Sequence, residues 1–351
     1  MADAVPLSTR RGQRPPGMHD VARLAGVSHQ TVSRVINDLP NVRPATKKKV
    51  QDAIDSLGYR PNSLARALVT RRSGTLGVVT SNLDQWGPSS ALLGIEHAAR
   101  EAGYFVSVAS VRTGDAVQEA LAHFDEQLVE GVVVIAPEAA LVHAADPLVA
   151  QIPVVMVGAS NGAAQGVRVT SVNQDLGATR AVRHLIGLGH ERIAHVAGPQ
   201  EWFDANLRAA AWRRELDLLD LPARMIVGDW TPRGGYEAGM AVREMIRARD
   251  TDAPTAVFVA NDLMALGLMR ALHEGGLSVP GDVSVVGFDD IPGSDFFGPG
   301  LTTVRQDFQA LGRQCIATLL GAMNGDPDQP SPIQPELVVR DSTGRPRSAA
   351  H

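Results

Sequence analysis

At 351 residues the chain exceeds what one hydrophobic core holds, since single cores stop growing near ~250 to 300 residues, so two or three folding units are expected. Hydrophobic residues make up 44% and charged residues 20%, ordinary values that exclude wholesale disorder. Cys315 is the one cysteine, which excludes an internal disulfide framework; there is no Cys/His cluster with metal-site spacing, no apolar leader and no spanning stretch, so no metal or other cofactor is expected and the chain reads as cytoplasmic.

The formal charge of -5 divides unevenly along the chain. Residues 1–72 hold 13 Lys/Arg against five acids, a balance of +8, and the remainder holds 20 bases against 33 acids, a balance of -13. A basic nucleic-acid module joined to an acidic ligand or partner module has this asymmetry.

Residues 1–17 form a Pro/Gly/Arg-rich arm, expected to be disordered. His19 to Gly26 predicts a short helix with Val21, Leu24 and Ala25 on its inner face and Gly26 as its stop. Ser28 can cap a second helix in which Val32, Val35 and Ile36 point inward, leaving His29, Gln30, Ser33, Arg34 and Asn37 outside. Two helices joined by Gly26-Val27-Ser28 make a helix-turn-helix pattern. Arg can fork to guanine and Gln can pair with adenine; a polar helix face is equally what solvation alone produces, and here the basic surroundings favour DNA. A third helix is predicted from Pro44 to Leu57, with Val50, Ala53, Ile54 and Leu57 as its stripe and Gly58 as its stop. Lys47, Lys48 and Lys49 oppose the dipole at its start, which suits nearby phosphates or a solvated face. Residues 61–73 predict a hinge helix capped by Asn62, too short to be stable alone; its Leu64 and Leu68 need an outside apolar partner, either a symmetry mate or unstacked bases.

From residue 74 to 340 strand and helix patterns alternate. Apolar runs predict strands at 76–81, 104–111, 131–136, 153–157, 192–197, 255–259 and 283–288, with helical periods such as Leu92 to Ala102 and Ala205 to Leu219 between them. The expected fold is a pair of doubly wound α/β lobes with parallel sheets and a cleft between them, in which ligands bind beyond the strands' carboxyl ends. Residues following those strands include Ser81, Gly158, Trp230, Asn261, Asp262, Asp289 and Asp290, a set that suits a polyhydroxylated ring. Asp262 and Asp290 can equally be helix caps, and Trp230 can equally be core. No phosphate-loop spacing, catalytic triad or acid/base pair stands out, so an enzyme is not expected. Residues 341–351 read as a flexible tail.

The stretches HDVARLAGVSHQTVSRVIN and VRPATKKKVQDAIDSLGYRPNSLARAL resemble the DNA-binding headpiece and hinge of the lactose/galactose repressor family. The resemblance continues to about residue 341 through LGHERIAHVAGP, LRAAAWRREL, VFVANDLMALGLMRAL, DVSVVGFDDIP and LTTVRQDFQALG. It implies that His29, Gln30 and Arg34, with Ser33 and Asn37 beside them, face the major groove. It also implies that hinge helices carrying Asn62, Ala65 and Leu68 pair in the minor groove, with Leu68 wedged between base pairs. For the large domain it implies a fold like the periplasmic sugar-binding proteins. Arg208, Asn261 and Asp289 would hydrogen-bond an effector, Trp230 and Phe308 would wall it, Gln306 would bridge the lobes, and Ser81 and Asp204 would complete the pocket. Ile135 and Gly158 stand where the lactose-type pocket has an amide and a carboxylate, and Arg43 replaces the usual small hydroxyl residue before the third helix. The chain end lacks leucine heptads, so a homodimer on a two-fold operator is expected. The implied function is a repressor released from double-stranded operator DNA by a small sugar; the alternatives are a co-repressed or activating regulator and a solute-binding protein.

Overall fold

The computed structural model describes residues 16–36, 40, 42–59, 73–111, 114–136, 138, 152–158, 167–248, 250–326 and 328–347. The arm before residue 16, Asn37, and the hinge positions Asn62, Ala65 and Leu68 lie outside the described residues. The chain divides into two compact units, Met1–Ser73 and Gly74–His351.

In the first unit α1 (Met18–Ala25), α2 (His29–Ile36) and α3 (Pro44–Leu57) pack around Val21, Ala22, Val32, Val35, Val50 and Ala53. Gly26 ends α1 at φ 66° and Gly58 ends α3 at φ 61°, left-handed positions that glycine occupies without a Cβ penalty. Ser28 Oγ accepts the Thr31 N–H at 3.1 Å, the expected cap of α2. Arg43, at the N-cap of α3, makes no side-chain cap, as its lack of a short acceptor requires. Leu24 corrects the expectation for α1: it is 54% exposed. At ~100° per residue, Val21, Ala22 and Ala25 share a face, and Leu24 falls outside it.

The second unit holds two lobes. The first comprises β1 (Thr75–Thr80), α4 (Trp86–Glu101), β2 (Phe105–Ser110), α5 (Gly114–Glu126), β3 (Val132–Ile135), β4 (Val154–Val157) and β5 (Arg168–Thr170). The second comprises α6 (Gln174–Gly187), β6 (Ile193–Ala197), α7 (Phe203–Asp217), β7 (Ala223–Val227), α8 (Pro232–Arg247), β8 (Ala256–Val259), α9 (Asp262–Glu274), β9 (Ser284–Asp289) and β10 (Thr302–Arg305). The chain then returns α10 (Phe308–Met323) to the first lobe and ends β11 (Glu336–Val338) on the second.

The sheets run β2-β1-β3-β4-β5 and β11-β10-β9-β8-β6-β7. Without β11 the second order repeats the first, and the described pairs are parallel except β10 with β11. Apolar clusters cover both faces of each sheet, which is why the central strands are largely apolar and rich in valine. The lobes are joined at residues 171–173, 306–307 and around Ile333. Two of these crossings are tied together, Ile333 N–H donating to Ser171 O at 2.8 Å and Asn173 N–H to Ile333 O at 2.8 Å.

Residues 341–347 are not the loose tail expected of their polar composition. Val285 N–H donates to Ser342 O at 2.8 Å, Ser342 Oγ donates to Val285 O at 2.6 Å, and Gly344 N–H donates to Ser284 Oγ at 3.0 Å. Ser342 is fully buried because both its main chain and its hydroxyl, which also accepts the Thr302 N–H at 2.8 Å, satisfy backbone groups of β9 and β10.

Candidate functional site

A cleft of about 740 Å3, open mouth included, lies between the lobes. Seven of the eight expected effector residues line it: Asp204, Arg208, Trp230, Asn261, Asp289, Gln306 and Phe308. Ser81 is not in its wall. After β1 the chain turns at Asn82, φ 52°, and residues 85–88 at the start of α4 take the place expected of Ser81. Asn82 Nδ2 donates instead to Ser81 Oγ at 3.2 Å and to Glu138 Oε1 at 3.0 Å.

Arg208, on α7, is the centre of the polar floor. Its Nε donates to Gln174 Oε1 at 2.9 Å, Gln174 Nε2 donates to Gln306 Oε1 at 2.9 Å, and Gln306 Nε2 donates to Asp289 Oδ1 at 2.7 Å. A further guanidinium nitrogen donates to Ala260 O, and Asp204 Oδ2 stands 4.0 Å from another. The guanidinium carbon lies 3.8 Å from the centroid of Phe288 and 5.6 Å from that of Trp230. This relay joins two crossings, since Gln174 begins α6 after β5 and Gln306 follows β10.

Charge in this floor is held against burial. Desolvation pushes the Asp289 carboxyl up to about 6, against the opposing pull of Arg208 and the Gln306 hydrogen bond. Burial likewise raises Asp204 and lowers Arg208, the latter opposed by Asp289, Asp204 and Asp262. A cleft that keeps the Asp289 carboxylate and a guanidinium this dry, with a half-buried Asp204 beside them, offers charge-assisted hydrogen bonds to a ligand's hydroxyls.

The backbone is strained at the same place. Asp289 has φ 119° and Trp230 φ 68°, conformations that non-glycine residues adopt at a cost usually met at functional sites. Asn261 holds the second of these, its Nδ2 donating to Trp230 O at 3.0 Å while its Oδ1 accepts the Met264 N–H at 2.8 Å. Trp230 is buried as the core reading required, yet its ring also walls the cleft. A Cβ on Gly198 would meet that ring at 2.2 Å, so glycine there lets the indole sit over the end of β6. At Gly158, φ 139°, a Cβ would lie 2.8 Å from Ala136 O, so no side chain fits this wall without moving the backbone.

Neither Asp262 nor Asp290 is a helix cap or part of the cleft wall. Asn261 caps α9, and Asp262 is fully buried, accepting Thr303 Oγ1 at 2.6 Å and the Ile291 N–H at 2.9 Å. Burial first, then the charge of Asp289, pushes its carboxyl well above the usual range. Asp290 pairs with Arg305 at 2.6 Å and Arg340 at 2.7 Å. Gln174, Trp86 and Trp202 are cleft residues that the sequence reading missed. Gln174 follows a three-residue strand with no visible apolar run. The two indoles could have been found by asking where the chain places its four tryptophans.

On α2, His29, Gln30 and Arg34 are exposed and Ser33 is half-buried. The rings of His19 and His29 lie tilted against each other, 30° between planes, with centroids 4.4 Å apart. Residues 17–62 match the model of the lacI family of bacterial regulatory proteins, and residues 182–343 match a periplasmic binding protein-like domain. The lactose operon repressor of Escherichia coli is 36% identical over 337 residues, covering 94% of this chain and 91% of that one. The chain belongs to the lacI family. This lacI-family chain is a DNA-binding transcription regulator with a helix-turn-helix unit and a two-lobed α/β core. It is similar to a solved lac repressor dimer bound to operator and the anti-inducer ONPF, with TM-score 0.85, 34% identity and coverage of 94% of this chain and 100% of that one. It is also similar to a complex of the regulator CelR with cellobiose, with TM-score 0.66, 33% identity and coverage of 93% and 99%. Among the described residues no helix is long and apolar enough to cross a membrane, and no cluster of potential metal ligands occurs.

Proposed function

We propose that this regulator is a cytoplasmic homodimeric repressor that binds a two-fold operator and releases it when a small sugar enters the cleft between its lobes. The observation that carries the reading is the Arg208-Gln174-Gln306-Asp289 relay, which puts ligand-facing polar groups in one hydrogen-bonded chain with two lobe crossings. Ligand contacts made there have a direct mechanical route to the angle between lobes, and a ligand shifts that equilibrium by its differential affinity for the two states. The sugar content of the reading is supported by the aromatic walls around the buried Asp289 carboxylate and by the relative that binds cellobiose. The operator content is supported by the exposed Gln30 and Arg34 and the +8 charge of residues 1–72; Asn62, Ala65 and Leu68 would complete it from the hinge.

A thermal-shift screen over mono- and disaccharides tests the sugar, since a ligand at a hundred times its Kd stabilises by ~2.7 kcal/mol. Hits are then titrated against the operator complex. Release supports the repressor reading, tightening turns it into co-repression, and a screen without hits removes the sugar. For the headpiece, Arg34→Ala is expected to cost ~1 to 3 kcal/mol of operator affinity and to relax one base position, if its fork reads a guanine. Affinities over a set of single-base operator variants check this, and uniform weakening across the set would make Arg34 a phosphate contact instead.

A further inference from the structure

Three residues in or beside the cleft wall hold left-handed backbone positions without being glycine: Trp230 at φ 68°, Asp289 at φ 119° and Asp290 at φ 55°. Such conformations persist only where the surroundings hold them. The groups that do so are two neighbours at the start of α9. Asn261 ties the first position through Trp230 O. Asp262 ties the corner made by the other two: its Oδ2 accepts the Ile291 N–H, directly after the corner, at 2.9 Å, and its Oδ1 accepts the Thr303 hydroxyl of β10 at 2.6 Å.

The outer side of the corner is held as well, since the Asp290 carboxylate pairs with Arg305 and Arg340 and accepts Ser294 Oγ at 3.0 Å. With its main chain tied on one side and a side chain on the other, the corner leaves one place for Asp289, whose carboxylate lines the cleft. Asp262 is fully buried and is not in the cleft wall, so it can act on a ligand only through other groups. A carboxyl this dry costs free energy that an apolar side chain would not. β9 makes room for it, because a Cβ on Gly287 would overlap Asp262 Oδ1.

We propose that Asp262 is a positioning residue for effector binding: its carboxyl clamps the left-handed Asp289-Asp290 corner to α9 and so aims the Asp289 carboxylate into the cleft. This rests on the reading of Asp289 as an effector contact. Asn261 and Asp262 then divide the work, the first placing the Trp230 wall and the second the charged floor.

Two variants of the full-length protein separate the clamp from the charge. Asp262→Ala removes both hydrogen bonds. Asp262→Asn removes only the charge, since an amide can accept the Ile291 N–H and donate to the Thr303 hydroxyl. Calorimetric titration with glucose, galactose, cellobiose, maltose and lactose identifies the sugar that the parent binds most tightly. Asp262→Ala is expected to weaken that sugar about tenfold or more, the worth of a misplaced charged hydrogen bond, and Asp262→Asn to stay within about twofold of the parent. A second readout needs no sugar: carboxyl 13C NMR of the Asp289 side chain, its resonance assigned by its loss in Asp289→Asn. Its titration, pushed up to about 6 by burial in the parent, is expected to stay raised in Asp262→Asn and to fall toward the ordinary 3.8 in Asp262→Ala, where the released carboxyl turns to water. If Asp262→Ala does not fold, Thr303→Val removes one of the two bonds that fix the clamp and is expected to show both effects in smaller measure. Parent-like sugar affinity or an unmoved Asp289 titration in Asp262→Ala, or in Thr303→Val where that replaces it, overturns the proposal. Equal weakening by Asp262→Ala and Asp262→Asn also overturns it, making charge rather than the clamp the cause. A parent that binds none of these sugars brings down the sugar reading, and the Asp289 titration alone then decides whether Asp262 places that carboxylate.

Discussion

Asp289→Asn is expected to make the unliganded protein more stable at neutral pH and to weaken effector binding at the same time. Asp289 is buried at a left-handed backbone position, accepts Gln306 Nε2 at 2.7 Å and has its carboxyl pushed up to about 6 by desolvation. In the unfolded chain the same group titrates near 3.8. Between those values the folded protein holds a proton that the unfolded chain has released, so stability falls as pH rises through this window. Below about pH 4 the penalty is absent; above about pH 6 it is complete, on the order of 2 to 3 kcal/mol. Asparagine has no charge to desolvate and keeps an acceptor for Gln306. Melting curves should therefore place the variant above the parent at pH 8, with the gap closing toward pH 4. A hydroxyl bonded to a carboxylate is worth ~1.5 to 3 kcal/mol, so effector affinity should drop by roughly ten- to a hundredfold, and release from the operator should need correspondingly more ligand. A parent more stable than the variant at pH 8 would mean that the attraction of Arg208 outweighs burial, and the carboxylate would then be structural rather than held ready for a ligand.

Such a trade of stability for binding also explains which parts of the molecule were legible in the sequence. The helix Pro44–Leu57 could be read to the residue, because proline suits its first turn and Gly58 takes the left-handed stop. Central strands such as β3, β8 and β9 show as apolar runs because both faces of their sheets are covered. The strands β5 and β11, three residues each, and the edge strand β7, with Met225 and Val227 exposed, carry no such pattern. Missing β5 hid Gln174, which begins the helix after it and joins Arg208 to Gln306. Strand ends and family motifs led to Asp289, Asn261 and Arg208. Trp86 opens α4 and Trp202 precedes α7 as its N-cap, positions where no periodicity marks a side chain as facing a cleft. Ser81 shows the limit of counting from strand ends, since one left-handed residue after it handed its place to the first turn of α4.

The largest loss of stability is expected from Arg208→Leu. Arg208 is buried, donates to Gln174 and Ala260, packs its guanidinium on Phe288 and lies among Asp204, Asp289 and Asp262. Removing the one cation among these carboxylates leaves buried negative charge uncompensated, a change that typically costs ~3 to 5 kcal/mol. The cost should depend on pH in a defined direction: burial already raises all three carboxyls, and losing Arg208 raises Asp289 and Asp204 further. As pH falls these groups protonate in the folded protein, so the variant should recover toward the parent under mildly acidic conditions and suffer most above neutrality. Urea unfolding of the parent, Arg208→Leu, Asp289→Asn and the double variant at pH 8 measures the coupling directly. If Arg208 and Asp289 act as one unit, the double variant should be more stable than the two single changes predict by ~1 to 3 kcal/mol. Additive effects at pH 8 would mean that Arg208 stabilises the lobe through its hydrogen bonds and its contact with Phe288 alone, and that the carboxylates of the floor are neutral without it.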